Sequence, residues 1–365
     1  MKSSDFAIAL VGPLPPPSGG MANQTRQLFR LLADEGARVE LVQVNMPYRP
    51  SWVGRYRGIR SLFRLVPYLL SLWRSAGKVQ LMHVMANSGW SWHLFAAPAV
   101  WVAWLRGIPV IINYRGGGAN DFFSRSFRWV YPTLRRARVV VPSRFLHEVF
   151  MSFGVMTDII PNIIDLQRFS PNSDGVNHEN IGFPHIIVTR NLERIYDVGS
   201  ALHAFRRVLN RMPGARISIA GSGDDRPRLE SLARELGISE RVLFTDRLDN
   251  ERIVTLYRSA DVMLNPSLVD NMPISILEAL ACGVPVVSTN VGGIPYMVAN
   301  GEQALLVPPA DPQAMADAVI SLCEDRQLKN RMIKAGLELI KQYSWPNVRE
   351  KWLSVYSSTL AKKRR

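Results

Sequence analysis

The sequence predicts an α/β protein built from two Rossmann-like, doubly wound domains, residues 1–165 and 185–344, facing each other across a cleft. Three observations predict it. The chain has 365 residues, 47% apolar and 20% charged, enough for two separate cores. Short β-branched runs alternate with helical patterns from end to end, the signature of parallel sheets wrapped by helices. The alternation stops once, at PNIIDLQRFSPNSDGVNHENIGFP (Pro161 to Pro184), a stretch rich in Pro, Asn, Asp and Gly, and then restarts. Residues 166–184 are expected to be a linker.

In the first domain the expected strands are Phe6 to Val11, Val39 to Val44, Gln80 to Val84, Pro109 to Asn113, Val139 to Val141 and Asp158 to Ile160. In the second they are Ile186 to Thr189, Arg216 to Ala220, Val242 to Phe244, Val262 to Asn265, Pro285 to Ser288 and Ala304 to Val307. Three helical segments close the chain. The last, with its basic tail (345–365), is expected to pack back on the first domain. Folds of this kind bind ligands beyond the carboxyl ends of their strands.

Composition excludes several classes. Cys282 and Cys323 are the only cysteines, so neither a disulfide framework nor a cysteine metal cluster is available. The N-terminal apolar core FAIALV stops at Gly12 and Pro13, too short for a secretory signal, which predicts a cytoplasmic protein. The longest apolar run, Leu94 to Leu105, reads as a core helix and not a membrane span.

The stretch DNMPISILEALACGVPVV carries the chemistry. DVML is a strand and NPSLVDNM its loop. Pro273 suits the first helical position, with Asp270 or Asn271 near the N-cap, and Gly283 stops the helix before VPVVST. The first amides of the helix, from Met272 through Pro273 to Ile274, at the positive end of the dipole, are expected to suit an anion such as a diphosphate. Glu278 inside the helix can accept bonds from sugar hydroxyls, and Asp270 can reach a sugar on the other side of the phosphates. As isolated acids the two would read as a solvated cap and a helix flank.

DNMPISILEALACGVPVVSTNVGG resembles the donor-binding motif of family 4 glycosyltransferases, which carry Glu, seven residues, Glu; here Asp270 stands at the first position. VVVPSRFL followed by IIPNIIDLQRFSP, and then VTRNLERIYDVGSALHAF, ISIAGSGDDRPRLESLA and LYRSADVMLNPS, are similar to further segments of that family in the expected order. The resemblance implies the GT-B fold and a retaining enzyme that takes a nucleotide diphosphate sugar. It places Glu278 on the ribose, Arg190 on the diphosphate, and Asp270, Asn271 and Met272 at the transferred sugar. Arginine suits phosphate because its planar fork binds two oxygens. The family's lysine a few residues after Arg190 is missing, and Arg194 is the nearest substitute; alternatively it pairs with Glu193 or Asp197 on the surface.

Gly19 and Gly20, in GPLPPPSGGMANQT, allow close backbone approach to a ligand before the first helix. The resemblance puts this loop near the donor phosphates and acceptor. In IPVIINYRGGG the position where the family often has histidine holds Arg115, followed by Gly116; a guanidinium cannot serve as a general base at neutral pH. His83 and Asn87 are further acceptor-side candidates, although a lone strand histidine is more often a satisfied core residue. Asp-x-Asp is absent, so no metal requirement is expected, and Asp224 with Asp225 reads as a turn and helix cap.

The formal charge of +14 is concentrated early. No Asp or Glu lies between Leu41 and Asn120, where Arg49, Arg55, Arg57, Arg60, Arg64, Arg74, Lys78, Arg106 and Arg115 fall. Ile59, Leu62, Phe63, Val66, Leu69, Leu70 and Trp73 follow helical spacing, with Pro67 expected to bend or break the helix. With Trp52, Tyr56, Tyr68 and Trp73 among the charges, residues 49–78 are expected to touch an anionic membrane surface reversibly, consistent with a lipid-carried acceptor; the alternative is a core-packed helix with a basic outer face. No groove-reading or stacking motif for nucleic acid is present. The expected partners are therefore a nucleotide sugar and a glycan or lipid-linked acceptor for surface polysaccharide or glycolipid synthesis. Two other functions fit the pattern: a nucleotide-sugar epimerase and a non-catalytic glycan-binding scaffold.

Overall fold

The structure is a computed structural model that describes residues 5–16, 19–47, 60–172 and 183–363. The chain divides into two compact units. The first is Met1–Ile163 with Trp345–Arg365, and the second is Ile164–Ser344. Of the stretch expected to be a linker, Phe169 is buried in the core of the second unit beside Ile164.

The first unit holds a six-stranded, all-parallel sheet: β1 (Ala7–Gly12), β2 (Arg38–Gln43), β3 (Leu81–Ala86), β4 (Val110–Tyr114), β5 (Arg138–Val141) and β6 (Thr157–Ile159), in the order β2-β1-β3-β4-β5-β6. Helices α1 (Gly20–Asp34), α2 (Arg60–Ala76), α3 (Ala97–Leu105), α4 (Ala119–Leu134) and α5 (Arg144–Ser152) connect the strands. β3 and β4 are buried along their whole length. Strands covered on both faces are mostly apolar, which explains the runs LMHVMA and VIINY; their polar members, His83 and Asn113, bond each other.

The second unit repeats the plan with β7 (His185–Val188), β8 (Arg216–Ala220), β9 (Val242–Asp246), β10 (Val262–Asn265), β11 (Val286–Thr289) and β12 (Ala304–Val307), ordered β12-β11-β10-β7-β8-β9 and again all parallel. Its helices are α6 (Val198–Arg211), α7 (Arg226–Glu235), α8 (Asn250–Arg258), α9 (Ile274–Ala281), α10 (Pro312–Glu324) and α11 (Arg326–Ile340); α12 (Trp345–Lys363) returns to the first unit. Carboxylates of Asp197, Asp249, Asp311 and Asp325 accept from the first-turn amides of α6, α8, α10 and α11, fixing where those helices start. Strand order reverses between β1 and β3 in the first unit and between β7 and β10 in the second. Such reversals open a crevice at the strands' carboxyl ends.

Helix α2 departs from expectation at Pro67 and at Tyr68. It runs unbroken through Pro67, which lies on the exposed side of the helix. The face that packs inward is Tyr68, Leu72 and Ala76, whereas Phe63, Val66, Leu70 and Trp73 are exposed. Of the expected apolar stripe, Phe63, Val66, Leu70 and Trp73 therefore face outward while Leu69 packs against the core, and Tyr68 is a core residue whose hydroxyl donates to Phe95 O at 2.7 Å. Arg49, Trp52, Arg55, Tyr56, Arg57 and Ile59 lie outside the described residues. No described helix is long and apolar enough to cross a membrane.

Candidate active site

The loops leaving β7 and β10 meet at the reversal of the second sheet. Arg190 follows β7, and Asp270 lies in the loop between β10 and α9. The two side chains form an ion pair with only 10% and 13% exposure. Arg190 also donates from Nη1 to Ser275 Oγ at 3.2 Å, and its guanidinium lies over the Tyr196 ring, 4.2 Å from the centroid. Its Nε is buried without a hydrogen-bond partner. Burial raises the Asp270 carboxyl above the ordinary range, while the Arg190 charge opposes the shift.

Glycines hold both loops in place. A Cβ at Gly221 would overlap Arg190 O, and one at Gly223 would overlap Leu192 O. On the other side, Gly292 and Gly293 lie under Asp270 O and Asn271 O in the same way, and Gly293 N donates to Asp270 O at 3.0 Å. Leu268 N donates to Ile195 O at 2.9 Å and ties the two loops together. Below them Asn265, Ser267, Ser288 and Thr289 form a buried hydrogen-bonded set.

Helix α9 begins at Ile274, with Pro273 in the cap position and no side-chain cap. This corrects the expected start by one residue: Pro273 precedes the helix, and Asp270 gives its carboxylate to Arg190 and to Asn271 N at 2.9 Å instead of capping. Pro273 has no amide hydrogen, so of the expected donors only Met272 and Ile274 have N–H groups. The first helix bond runs from Ile276 N to Pro273 O, which leaves the Ile274 and Ser275 amides outside the helical ladder. Asn271 and Met272 are buried beside this end.

Glu278, a turn further on, is half-buried. Its Oε2 accepts from the Tyr257 hydroxyl at 2.9 Å, and Tyr257 in turn lies 2.9 Å from Thr189 Oγ1. Burial pushes the Glu278 carboxyl up to about 7, opposed by the Tyr257 hydrogen bond and by the charges of Arg168 and Arg190. Tyr257, Thr189, Tyr196, Ser275 and the four glycines are the residues that sequence reasoning left without a role. Arg194 is exposed in the turn Arg194–Tyr196 and forms no ion pair with Glu193 or Asp197; Asp197 instead caps α6. Asp225 precedes α7 but clamps Arg228 at 2.7 and 2.6 Å and does not cap.

In the first unit, Gly19 is the extended residue before α1 and Gly20 opens that helix. A Cβ at Gly19 would meet nothing within 4 Å, so no close approach within this unit demands glycine there. Asn87 is exposed after β3, and its Oδ1 accepts from Ser88 N. Gly116 packs against Asn87 and Ser88, where a Cβ would overlap Asn87 Oδ1. Arg115 donates to Asn162 Oδ1. His83 is corrected: it has no exposure, Nδ1 is 2.9 Å from Tyr356 Oη, Nε2 is 3.1 Å from Asn113 Nδ2, and Trp352 lies 4.6 Å away ring to ring. Both nitrogens are spent in the core, and burial, aided by the Arg115 charge, takes its pKa down to about 3. Among the described residues no three His, Cys, Asp or Glu side chains gather as a metal-holding group.

Residues 172–339 match the family model described as glycosyl transferases group 1, and residues 18–168 match glycosyltransferase family 4. A D-inositol 3-phosphate glycosyltransferase of Corynebacterium urealyticum is 34% identical over 208 residues, 53% of this chain and 49% of that protein. One from Nocardia farcinica is 30% identical over 254 residues, 67% and 55% of the two chains. The chain spans about half the length of these relatives. Among solved structures, Anabaena HepE in complex with UDP matches with a TM-score of 0.75 at 17% identity, covering 97% of this chain and all of that one. Sucrose-phosphate synthase from Thermosynechococcus elongatus matches at 0.74 and 21%, covering 98% and 100%. At these identities the likeness establishes the fold.

Proposed function

The chain belongs to the group 1, family 4 glycosyltransferases, which have the GT-B fold, and we propose that it moves a hexose from a nucleotide diphosphate sugar to a hydroxyl of a glycan or lipid-linked acceptor, with retention and without a metal ion. The observation that carries the reading is the open network at the second unit's strand reversal. There a nearly buried arginine with an unpartnered Nε stands beside the amide end of α9 and a half-buried carboxylate. The Arg190 fork and the Ile274 and Ser275 amides suit a diphosphate, the Glu278 carboxylate suits ribose hydroxyls, and Asp270 with Asn271 and Met272 suits the transferred sugar. In the free chain Asp270 neutralises Arg190. A donor whose diphosphate takes over the guanidinium would release the Asp270 carboxylate toward the sugar.

Diphosphate departure is then assisted by fixed positive charge and amides, an electrostatic contribution that commonly dominates catalysis. The departing phosphate oxygen takes the acceptor proton, so no strong base is required, and Arg115 stands where a histidine base would have been. Metal independence is tested directly: turnover in chelator should match turnover with added divalent cation.

Cleavage of UDP-, GDP- and ADP-sugars, with and without a bacterial lipid extract, tests the whole reading. Isomerised sugar without acceptor would indicate an epimerase, and an inert donor throughout a scaffold. Glu278→Ala should lower activity at least about 100-fold, the equivalent of about 2.7 kcal/mol. Near-normal turnover would remove Glu278 from the ribose.

A peripheral membrane position is part of the proposal, supported by the outward stripe of α2. Phe63, Val66, Leu70 and Trp73 are exposed, Arg106 covers the Trp73 ring at 4.8 Å, and Trp104 and Leu105 beside it are exposed too. Apolar side chains set among arginines suit an anionic leaflet. Sedimentation with vesicles of anionic lipid should be lost in a Leu70→Glu, Trp73→Glu variant.

A further inference from the structure

Arg115 closes β4 and is half-buried. One Nη1 hydrogen goes to Asn162 Oδ1, while Nε has neither solvent nor a hydrogen-bond partner. Three arginines of the first unit have carboxylates: Arg138 has Asp158, Arg144 has Glu148 and Arg349 has Glu35; Arg136, which also has a buried Nε without a hydrogen-bond partner, lies over the Trp101 and Trp104 rings and donates to Pro132 O. Arg115 pairs with no acid among the described residues. The cause is visible in the sequence: no Asp or Glu falls between Leu41 and Asn120, so β3, β4 and the loops leaving them supply none.

The surroundings offer no other compensation. Asn162 is a neutral amide, the Ser88 and Tyr114 hydroxyls bond each other at 2.6 Å, and His83 has both nitrogens occupied within the core. Withdrawing an ion from water costs several kcal/mol unless a counter-charge repays it. The residue also stands at the carboxyl end of its strand, the edge where doubly wound sheets take ligands. Gly116 settles against Asn87 and Ser88, while a Cβ at Gly118 would meet nothing within 4 Å, so the loop after Arg115 has open space beside it.

We propose that Arg115 anchors an anion site in the first unit that takes a phosphate group carried on the acceptor. Only the word acceptor rests on the glycosyltransferase reading; the anion site stands on the unpaired guanidinium.

The test uses the full chain with Arg190→Gln, so that the second unit's guanidinium contributes no phosphate binding. Inorganic phosphate is titrated by calorimetry and by thermal unfolding. Saturable binding with a rise in Tm is expected, weakened at least tenfold by Arg115→Met. In phosphate-free buffer Arg115→Met should melt no lower than its parent, because the charge it removes was uncompensated. Unchanged phosphate affinity, or a lower Tm without phosphate, overturns the proposal, since the second result marks a structural arginine. Should Arg115→Met fail to fold, Arg115→Lys keeps the charge and loses the fork; its affinity should fall at least threefold, and an unchanged value is again fatal.

Displacement of phosphate by glycerol 3-phosphate supports a small phosphorylated acceptor. Displacement only by phosphatidylcholine vesicles doped with phosphatidic acid supports a lipid-borne phosphate, and displacement by neither overturns the proposal. Failure of the Glu278→Ala assay leaves this titration untouched, so the two readings fall separately.

Discussion

The two units bury opposite kinds of titratable group. In the first, a base, His83, is held neutral with its pKa down to about 3; in the second, an acid, Glu278, is pushed up to about 7. Burial is the leading cause of both shifts, yet the surroundings differ. His83 has no exposure and partners on both nitrogens, so its network is closed. Glu278 is half-buried and, among the described residues, only its Oε2 has a hydrogen-bond partner, the Tyr257 hydroxyl. A closed polar network reads as core, whereas an incomplete one at a strand reversal reads as a site. The loops differ too, being locked by glycine contacts in the second unit and open around Gly118 in the first.

The loop contrast gives the largest expected effect. Gly293→Ala would drive a Cβ into Asn271 O and force the loop after β10 to shift, costing about 1–3 kcal/mol. Gly118→Ala meets nothing within 4 Å at a φ of −86° and should stay within about 0.5 kcal/mol of the parent. Urea unfolding of the two variants measures the difference. Equal costs would mean that the glycine pairs do not lock the second unit's loops.

The titrations come next, with opposite signs. Glu278 has a folded pKa above its ordinary 4.5, so the folded chain keeps a proton that the unfolded chain has released, and stability falls as pH rises from 4.5 to 7. For His83, folded near 3 against 6.5 unfolded, the unfolded chain takes the extra proton, and stability falls as pH drops from 6.5 towards 3. Glu278→Gln removes only the first penalty. It should gain about 1–2 kcal/mol at alkaline pH, a fraction of the full shift because the half-buried carboxylate keeps some water, and nothing near pH 4. The same gain at both pH values would assign the effect to packing and not to charge.

What was legible in the sequence follows from the same contrast. Every expected strand occurs, within about two residues at each end: the central strands are covered on both faces and read as apolar runs whatever surrounds them, and the partly exposed edge strands β2, β6 and β9 still carry β-branched residues. Arg190, Asp270 and Glu278 could be picked out by their spacing from strand ends and by the family pattern. The side chains that fix them could not. Tyr257 lies in LYRSADVMLNPS with nothing in its spacing to connect it to Glu278, since α8 and α9 meet only through the fold. GSG directly after β8 and VGG shortly after β11 did carry a signal: glycines close behind a strand mark backbone close to backbone. In α2 the periodicity was real but ambiguous. Leu65, Tyr68, Leu72 and Ala76 form a second apolar face, and only packing decides which face turns inward.

The smallest expected effect is the most specific. Tyr257→Phe deletes the hydroxyl that donates to Glu278 Oε2 and leaves the ring in its buried place. That hydrogen bond favours the ionised carboxylate, so its loss raises the Glu278 pKa further. If ionised Glu278 holds the donor's ribose, the acid limb of kcat/KM must move to higher pH in the variant, by less than about one unit for a hydrogen bond worth about 1 kcal/mol. Rates well above the limb should approach the parent's. A tyrosine that only filled space would lower stability and leave the limb where it was. A pH profile taken alongside urea unfolding separates the two cases, and an unmoved limb would mean that Glu278 does not need to be charged for turnover.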